Sequence, residues 1–382
     1  MKNVKYCLTA FFLLLITVPF LGRYCMEGSN DEKFLQTENR IVTPYAELES
    51  LKSKHLKKYF NNLNVYISDR LSRKDNVVKG VNRFLMDPSY FLNINITKGI
   101  IGLDGYLFLG NLFEPVLDRH FKSNYSLENE ERVYSLHSEL STLARSINAN
   151  YFFFIAPDKH MVYCDKIPKW ISSDACYQSN RVTNYLISNL EKKGVSVIYP
   201  LLDLRKFKNQ AVYFKSDTHW NLRGAEIGYY SFIENSGIDL NVSRNYKLVY
   251  EKDRFVGDLI NILGLSKSKA PLDYLYKIET DATVLWSNKN EELKITPVKD
   301  ALAQGWDASW SGYMRNENAD NNLKVLIFCD SFMTNMSPFF NLNFKEVFYY
   351  SRHKEKEVLK TIILEKKADI IIYESVERAV GV

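Results

Sequence analysis

The sequence predicts an α/β fold: a parallel sheet covered by helices on both faces, interrupted by one insertion and preceded by an apolar N-terminal segment. Three observations carry this. Short runs such as Tyr151–Ala156, Lys324–Cys329 and Asp369–Tyr373 are apolar without alternation, the pattern of strands buried on both faces. Helical stretches with apolar residues three and four apart separate them. The segment Glu346–Tyr373 reads strand, helix, strand, as a βαβ crossover would. The composition, 46% hydrophobic and 25% charged over 382 residues, is that of a globular chain and excludes a disordered or collagen-like one. With 50 basic and 45 acidic residues, the charge gives no ground for a nucleic-acid partner.

Taken in order, the first element is an anchor. Lys2 and Lys5 precede an apolar run from Tyr6 to Leu21, and Arg23 follows it. The run is at the lower limit for a hydrocarbon core of about 30 Å. Basic residues before it place the N-terminus in the cytoplasm. Residues 1–26 are therefore expected to be a cytoplasmic stub and transmembrane signal anchor. The protein would cross the inner (cytoplasmic) membrane once and carry its main domain on the periplasmic or extracytoplasmic side. A cleaved signal peptide is the rival reading, but Pro19-Phe-Leu-Gly-Arg23 is a poor cleavage context. Residues 27–95 are polar with helical spacing at Leu48, Leu51, His55, Leu56 and Tyr59, and read as a stalk or packing segment.

The main domain is expected over 96–382. Asp104-Gly105 between two apolar runs signals a hairpin, because both central turn positions need positive φ. Helices are expected at about 127–147, 181–192, 223–232, 335–344 and 354–366, with Asn221 as a plausible N-cap. Residues 236–322 read as an irregular insertion or lid. Of five cysteines, Cys164 and Cys176 could close a loop outside the cytoplasm, stabilising by about 3 kcal/mol. No cysteine or histidine spacing suggests a metal, and no cofactor is expected.

Reactive groups in such sheets lie at the carboxyl ends of strands. Ser331 follows the run ending at Cys329 and precedes a helix, so its hydroxyl could be exposed near helix N–H groups; the alternative is a simple helix cap. In Ser216-Asp-Thr-His-Trp-Asn221, Asp217 could orient His219 and leave Nε2 as a base, or the histidine could merely be satisfied in a polar loop. Asp-x-His also opens metal phosphoesterase sites, but the Gly-Asn-His run those sites need is missing. Lys159 and His160 follow a strand end and could line the cleft. Trp220 could be a sugar platform or core. Glu374 and Arg378, four apart, read as an ion pair.

The ordered set Gly102-Leu-Asp-Gly-Tyr-Leu-Phe108, Pro157-Asp-Lys-His160, Ser216–Asn221, Gly257-Asp-Leu259, Asp330-Ser-Phe332 and Asp369–Arg378 resembles the alginate O-acetyltransferase family over roughly residues 95–378. The resemblance implies an SGNH hydrolase-like fold and a membrane-anchored enzyme that acetylates an extracytoplasmic polysaccharide. It implies Ser331 as nucleophile, His219 as general base and Asp217 as the orienting carboxylate, with an acetyl-serine intermediate. Lys159, His160 and Trp220 are the expected substrate-binding residues. A polysaccharide is the expected acceptor, and a membrane-bound O-acyltransferase the partner delivering acetyl. One departure stands out: Cys329 occupies the place of the usual glycine before Asp-Ser. An acetyl esterase with the same triad and a non-catalytic polysaccharide-assembly protein are the alternatives. The C-terminal carbohydrate-binding module that some members carry is not expected after the block ending at Val382.

Overall fold

The computed structural model describes residues 34–35, 40–41, 98–112, 114–121, 130–172, 181–242, 245–288, 291–304 and 307–380. The chain divides into two compact units, Met1–Asn95 with Ile260–Lys269, and Ile96–Leu259 with Ala270–Val382. In the first, β1 (Phe34–Leu35) pairs antiparallel with β2 (Arg40–Ile41). The predicted anchor lies outside the described residues, as does the predicted stalk apart from these two strands. Among the described residues, no helix is long and apolar enough to cross a membrane.

The second unit opens with β3 (Gly99–Ile101) and β4 (Leu107–Leu109), the expected antiparallel hairpin. Asp104 and Gly105 both take positive φ, 55° and 79°, in its turn. The helix Glu130–Ser146 leads to β5 (Asn150–Ala156), and the helix Val182–Lys192 to β6 (Ser196–Ile198). After the helix Leu222–Ser236, β7 (Lys247–Arg254) pairs with β8 (Leu272–Glu279) in a two-stranded ribbon. Then follow β9 (Thr283–Asn288), β10 (Lys294–Pro297), β11 (Ser311–Arg315) and β12 (Lys324–Cys329). The helix Met333–Asn343, β13 (Glu346–Ser351), the helix Lys356–Lys366 and β14 (Ile370–Val376) complete the unit.

Eight strands form one sheet in the order β10-β9-β11-β13-β12-β14-β5-β6. The pairs from β13 to β6 are parallel, with the crossover between β13 and β14 made by the helix Lys356–Lys366 as expected. The sheet is nevertheless mixed, which corrects the expectation of a parallel one: β11 runs antiparallel to both β13 and β9, and β10 antiparallel to β9. Residues 236–322 thus supply a ribbon and three sheet strands instead of an irregular lid. These strands escaped notice because they are half exposed. In β9 and β11 buried residues alternate with accessible ones, so no continuous apolar run marks them.

The central strands bury both faces. On one, Phe153, Ile155, Leu326, Phe328 and Ile371 pack against Val133, Leu140, Leu186, Leu190 and Ile363 from the covering helices. On the other, Phe154 meets Trp220 and Phe152 meets Phe232, both edge to face. Each such buried side chain contributes about 1.5–3 kcal/mol. This core fixes the carboxyl ends of β12, β14 and β5 at one edge, where the polar residues collect.

Candidate active site

The turn after β12 carries Ser331, half-buried, between Asp330 and the helix Met333–Asn343. Asp330 holds this turn from both carboxylate oxygens. Oδ1 accepts the Phe332 N–H at 3.0 Å; Oδ2 accepts the Val376 N–H at 2.9 Å and Nε of Arg352 at 3.2 Å. Its own N–H donates to Oε2 of buried Glu374 at 2.9 Å. Burial, and then the charge of Asp330, push the Glu374 carboxyl well above its usual range. Ser331 therefore sits on a turn tied to the ends of two neighbouring strands.

The second segment is a tight loop. Tyr213 and Trp220 form a bridge pair, and the Phe214 N–H donates to the His219 carbonyl at 3.4 Å. Buried Lys159 fills the loop from beneath, donating to the carbonyls of Phe214, Lys215 and Asp217 at 3.2, 3.1 and 2.6 Å. Burial lowers its basicity to about 8. The chain after β7 closes the other side. Ser216 Oγ donates to the Phe255 carbonyl at 2.6 Å, and the Gly257 N–H donates to Ser216 Oγ at 3.2 Å. A Cβ on Gly257 would stand 2.3 Å from the Ser216 carbonyl oxygen, so only glycine allows this approach. Asp258 then accepts from Thr218 N and Oγ1 at 2.9 and 2.6 Å, while its own N–H donates to Asp217 Oδ2 at 3.0 Å.

These two segments meet at His219. Asp217 Oδ1 accepts from His219 Nδ1 at 2.6 Å and from the His219 N–H at 3.0 Å. With Nδ1–H committed to Asp217, Nε2 is left to accept from Ser331 Oγ at 2.7 Å. Burial alone would raise the Asp217 carboxyl, but the His219 hydrogen bond and charge bring it down to about 2. Burial would lower the imidazole, yet the Asp217 hydrogen bond and charge leave it above its usual value. The line can pass a proton from a serine hydroxyl to an imidazole that a carboxylate orients, the requirement for nucleophilic attack.

The three residues singled out as a triad thus come together. The three expected to bind substrate are all buried, each bonded to backbone carbonyls of the fold. The Trp220 ring is fully buried and donates from Nε1 to the Phe332 carbonyl at 2.8 Å, so it supports the site from within the core. Lys159, 2% exposed, braces the loop as described. His160, 3% exposed, bonds the Leu109 carbonyl through Nε2 at 2.8 Å, and burial drops its basicity to about 3. The expected Glu374–Arg378 pair is also corrected. Glu374 serves the Asp330 amide, whereas Arg378 pairs with Asp158 and Glu114, each at 2.7 Å. The physical reason is that β14 continues to Val376, so the four-residue helical spacing does not apply. Cys329 points into the core with Sγ 3.6 Å from the Tyr350 carbonyl, and burial raises its thiol well above the usual range. It therefore crowds neither the turn nor the serine. Cys164 is disulfide-bonded. The expected partner Cys176 lies outside the described residues.

Reasoning from sequence assigned no role to Asp258 or Arg352, although Gly257-Asp258 was a visible signal. Asp217, His219 and Asp258 lie close enough to share a cation, as do buried His120, Asp158 and Glu377. In the first set the carboxylates are already spent on Thr218, on His219 and on backbone N–H groups. In the second, Asp158 pairs with Arg378 and with His120, and Glu377 with Arg181 and Thr183. Neither donor set is left open for a metal.

Residues 100–293 match the family described as SGNH hydrolase-like domain, acetyltransferase AlgX. No curated protein matches the sequence. Among solved structures, Bacillus cereus PatB1 with a sulfonyl adduct aligns with a TM-score of 0.56 at 16% identity, covering 75% of this chain and 97% of that one. A DHHW family protein from Eubacterium siraeum aligns at 0.53 and 15% identity, over 74% and 95%. The O-acetyltransferase domain of Pseudomonas putida AlgJ aligns at 0.47 and 15% identity, over 74% and 92%. At these identities the likeness to the first two shows a shared fold, while the family match spans half of the chain. The chain belongs to the SGNH hydrolase-like family of the acetyltransferase AlgX type.

Proposed function

We propose that this chain is an O-acetyltransferase that moves an acetyl group through Ser331 to hydroxyls of an extracytoplasmic polysaccharide. The observation that carries the reading is the hydrogen-bonded line Asp217–His219–Ser331, with contacts of 2.6 and 2.7 Å. His219 Nε2 takes the Ser331 proton as Oγ attacks the acetyl carbonyl of the donor. The developing oxyanion would meet the Ser331 amide, two residues before the helix Met333–Asn343. Collapse breaks the bond from acetyl to the donor oxygen, which leaves with the proton held by His219. A sugar hydroxyl then gives its proton to Nε2 and attacks the acetyl-serine, restoring Ser331 and forming the new ester. Asp217 stays ionised throughout and balances the imidazolium.

The fuller reading adds the N-terminal anchor, which would hold the domain at the outer face of the inner membrane. There a membrane-bound O-acyltransferase would supply acetyl at high effective concentration. Family membership supports the acetyltransferase chemistry. The triad geometry suits an acetyl esterase equally, since water in place of the sugar hydroxyl gives acetate. The two are separated by supplying an acetyl ester with and without an oligosaccharide acceptor. Transfer predicts acetylated oligosaccharide at the expense of acetate, abolished in Ser331→Ala. Acetate release unaffected by added sugar would contradict it.

A further inference from the structure

Two buried carboxyls stand directly behind the nucleophile. Asp330 is 6% exposed and Glu374 not at all. The titratable or charged groups around Glu374 are Asp330 and Cys329 at the end of β12, Arg352 after β13 and Tyr373 on its own strand. From β5, Phe154 is in register with it. Arg352 is the one cation among these groups, and its side chain bonds Asp330 and Tyr373. Asp330 accepts three donors, the Phe332 and Val376 N–H groups and Arg352 Nε. A carboxylate offers about four such sites, so one is open. Glu374 Oε2 accepts the Asp330 N–H, whereas Oε1, shut off from water, has no donor. As a carboxylate, Glu374 would bury an unanswered negative oxygen within hydrogen-bonding reach of a second carboxylate. A proton on Glu374 removes that charge and supplies a donor for the open site on Asp330. Burial and the Asp330 charge, which raise the Glu374 carboxyl, act in the same direction.

We propose that Glu374 is a positioning residue that works as a neutral acid, accepting the Asp330 N–H and donating its own O–H to the Asp330 carboxylate, and so holds the turn that carries Ser331. Asp330 then has all its sites filled, by two backbone groups, one guanidinium and one carboxylic acid. Loss of the proton would set two negative carboxyls against each other at the root of the turn, with a single guanidinium to offset them. The effect on catalysis rests on Ser331 as nucleophile; the protonation of Glu374 does not.

Glu374→Gln is the test, because its amide can make the same two bonds with no proton to lose. In infrared difference spectra of the full-length protein at neutral pH, the parent alone should show the C=O stretch of a protonated carboxylic acid, shifted in D2O. In thermal melts at rising pH, the parent should lose stability relative to Glu374→Gln. The unfolded chain releases this proton near the usual 4.5 and the folded chain at higher pH, so the ratio of the two folding constants should move about tenfold per pH unit in that interval. With an activated acetyl ester, Glu374→Gln should keep kcat within about threefold of the parent. Glu374→Ala, which leaves the Asp330 N–H unanswered, should lower kcat about 10- to 100-fold with KM nearly unchanged. The spectrum and the melts decide where Glu374→Ala does not fold. No acid band in the parent, a stability gap that does not change with pH, or a Glu374→Gln protein that fails to fold or is as slow as Glu374→Ala would overturn the proposal. If Ser331 were not the nucleophile, the acid band and the pH-dependent gap would remain, which keeps the two failures apart.

Discussion

His219 is balanced between two opposing effects. Burial works against its positive charge, and Asp217 works for it through a hydrogen bond and its charge, with the net result that the imidazole is more basic than usual. As general base it must be neutral, so acyl transfer should rise with pH through a limb above the ordinary imidazole value of about 6.5. Asp217→Asn removes the Asp217 charge and weakens its hydrogen bond, leaving burial opposed mainly by the smaller effect of the Asp258 charge. The limb of kcat/KM against pH should then move to lower pH, and the plateau should fall about 100- to 10,000-fold. A limb that stays in place would show that Asp217 does not set the base. Trp220 gives the converse case of neighbouring residues with different work. The ring next to His219 lies in the core, bonded to the Phe332 carbonyl, while His219 faces the serine.

At the scale of elements, the loop Tyr213–Asn221 is shaped by what closes on it rather than by regular structure of its own. Gly257 is the tightest of these closures. In Gly257→Ala the new Cβ would meet the Ser216 carbonyl oxygen at 2.3 Å and Asp217 Cβ at 2.6 Å, and both are backbone-anchored. The loop must shift, which should cost about 1–3 kcal/mol in a thermal melt. Displacing Asp217 and His219 from Ser331 should lower activity about 100-fold. Parent-like activity in Gly257→Ala would mean that the loop does not depend on this contact. The strands that carry the site were readable because they are buried on both faces: Val325–Cys329 and Ile370–Tyr373 are unbroken apolar runs, although β14 runs on through Glu374 and Ser375 to Val376. Asn221 was readable as a cap, and its side chain does accept from the Arg223 and Gly224 N–H groups. Strands β9 to β11 were hidden because they are only partly buried, so polar and accessible positions interrupt their apolar ones. Arg352 and Asp258 were hidden for another reason. Their partners, Asp330 and Thr218, are distant in sequence and become neighbours only once the sheet and the β7–β8 ribbon are in place.

For the molecule as a whole, parallel order in the centre of the sheet decides where chemistry can occur. β12, β14 and β5 all end at one edge, so Ser331, Arg378 and Lys159 arrive there from separate stretches of chain. The loop with Asp217 and His219 is then pinned onto that edge by Lys159 from β5's end and by the segment following β7. Of the buried charge pairs behind it, Arg378 with Asp158 ties the ends of β14 and β5 together, and Arg181 with Glu377 ties the end of β14 to the start of the helix Val182–Lys192. Such pairs add little net stability, but breaking one leaves a buried charge uncompensated. The edge is accordingly built to hold its geometry. The most direct measurement of the central claim is peptide mass spectrometry on full-length protein quenched in acid during turnover of an activated acetyl ester. One acetyl group on Ser331, absent from Ser331→Ala and reduced in His219→Ala, is the predicted result. Acetyl found on another residue, or acetate released by Ser331→Ala at the parent rate, would contradict it.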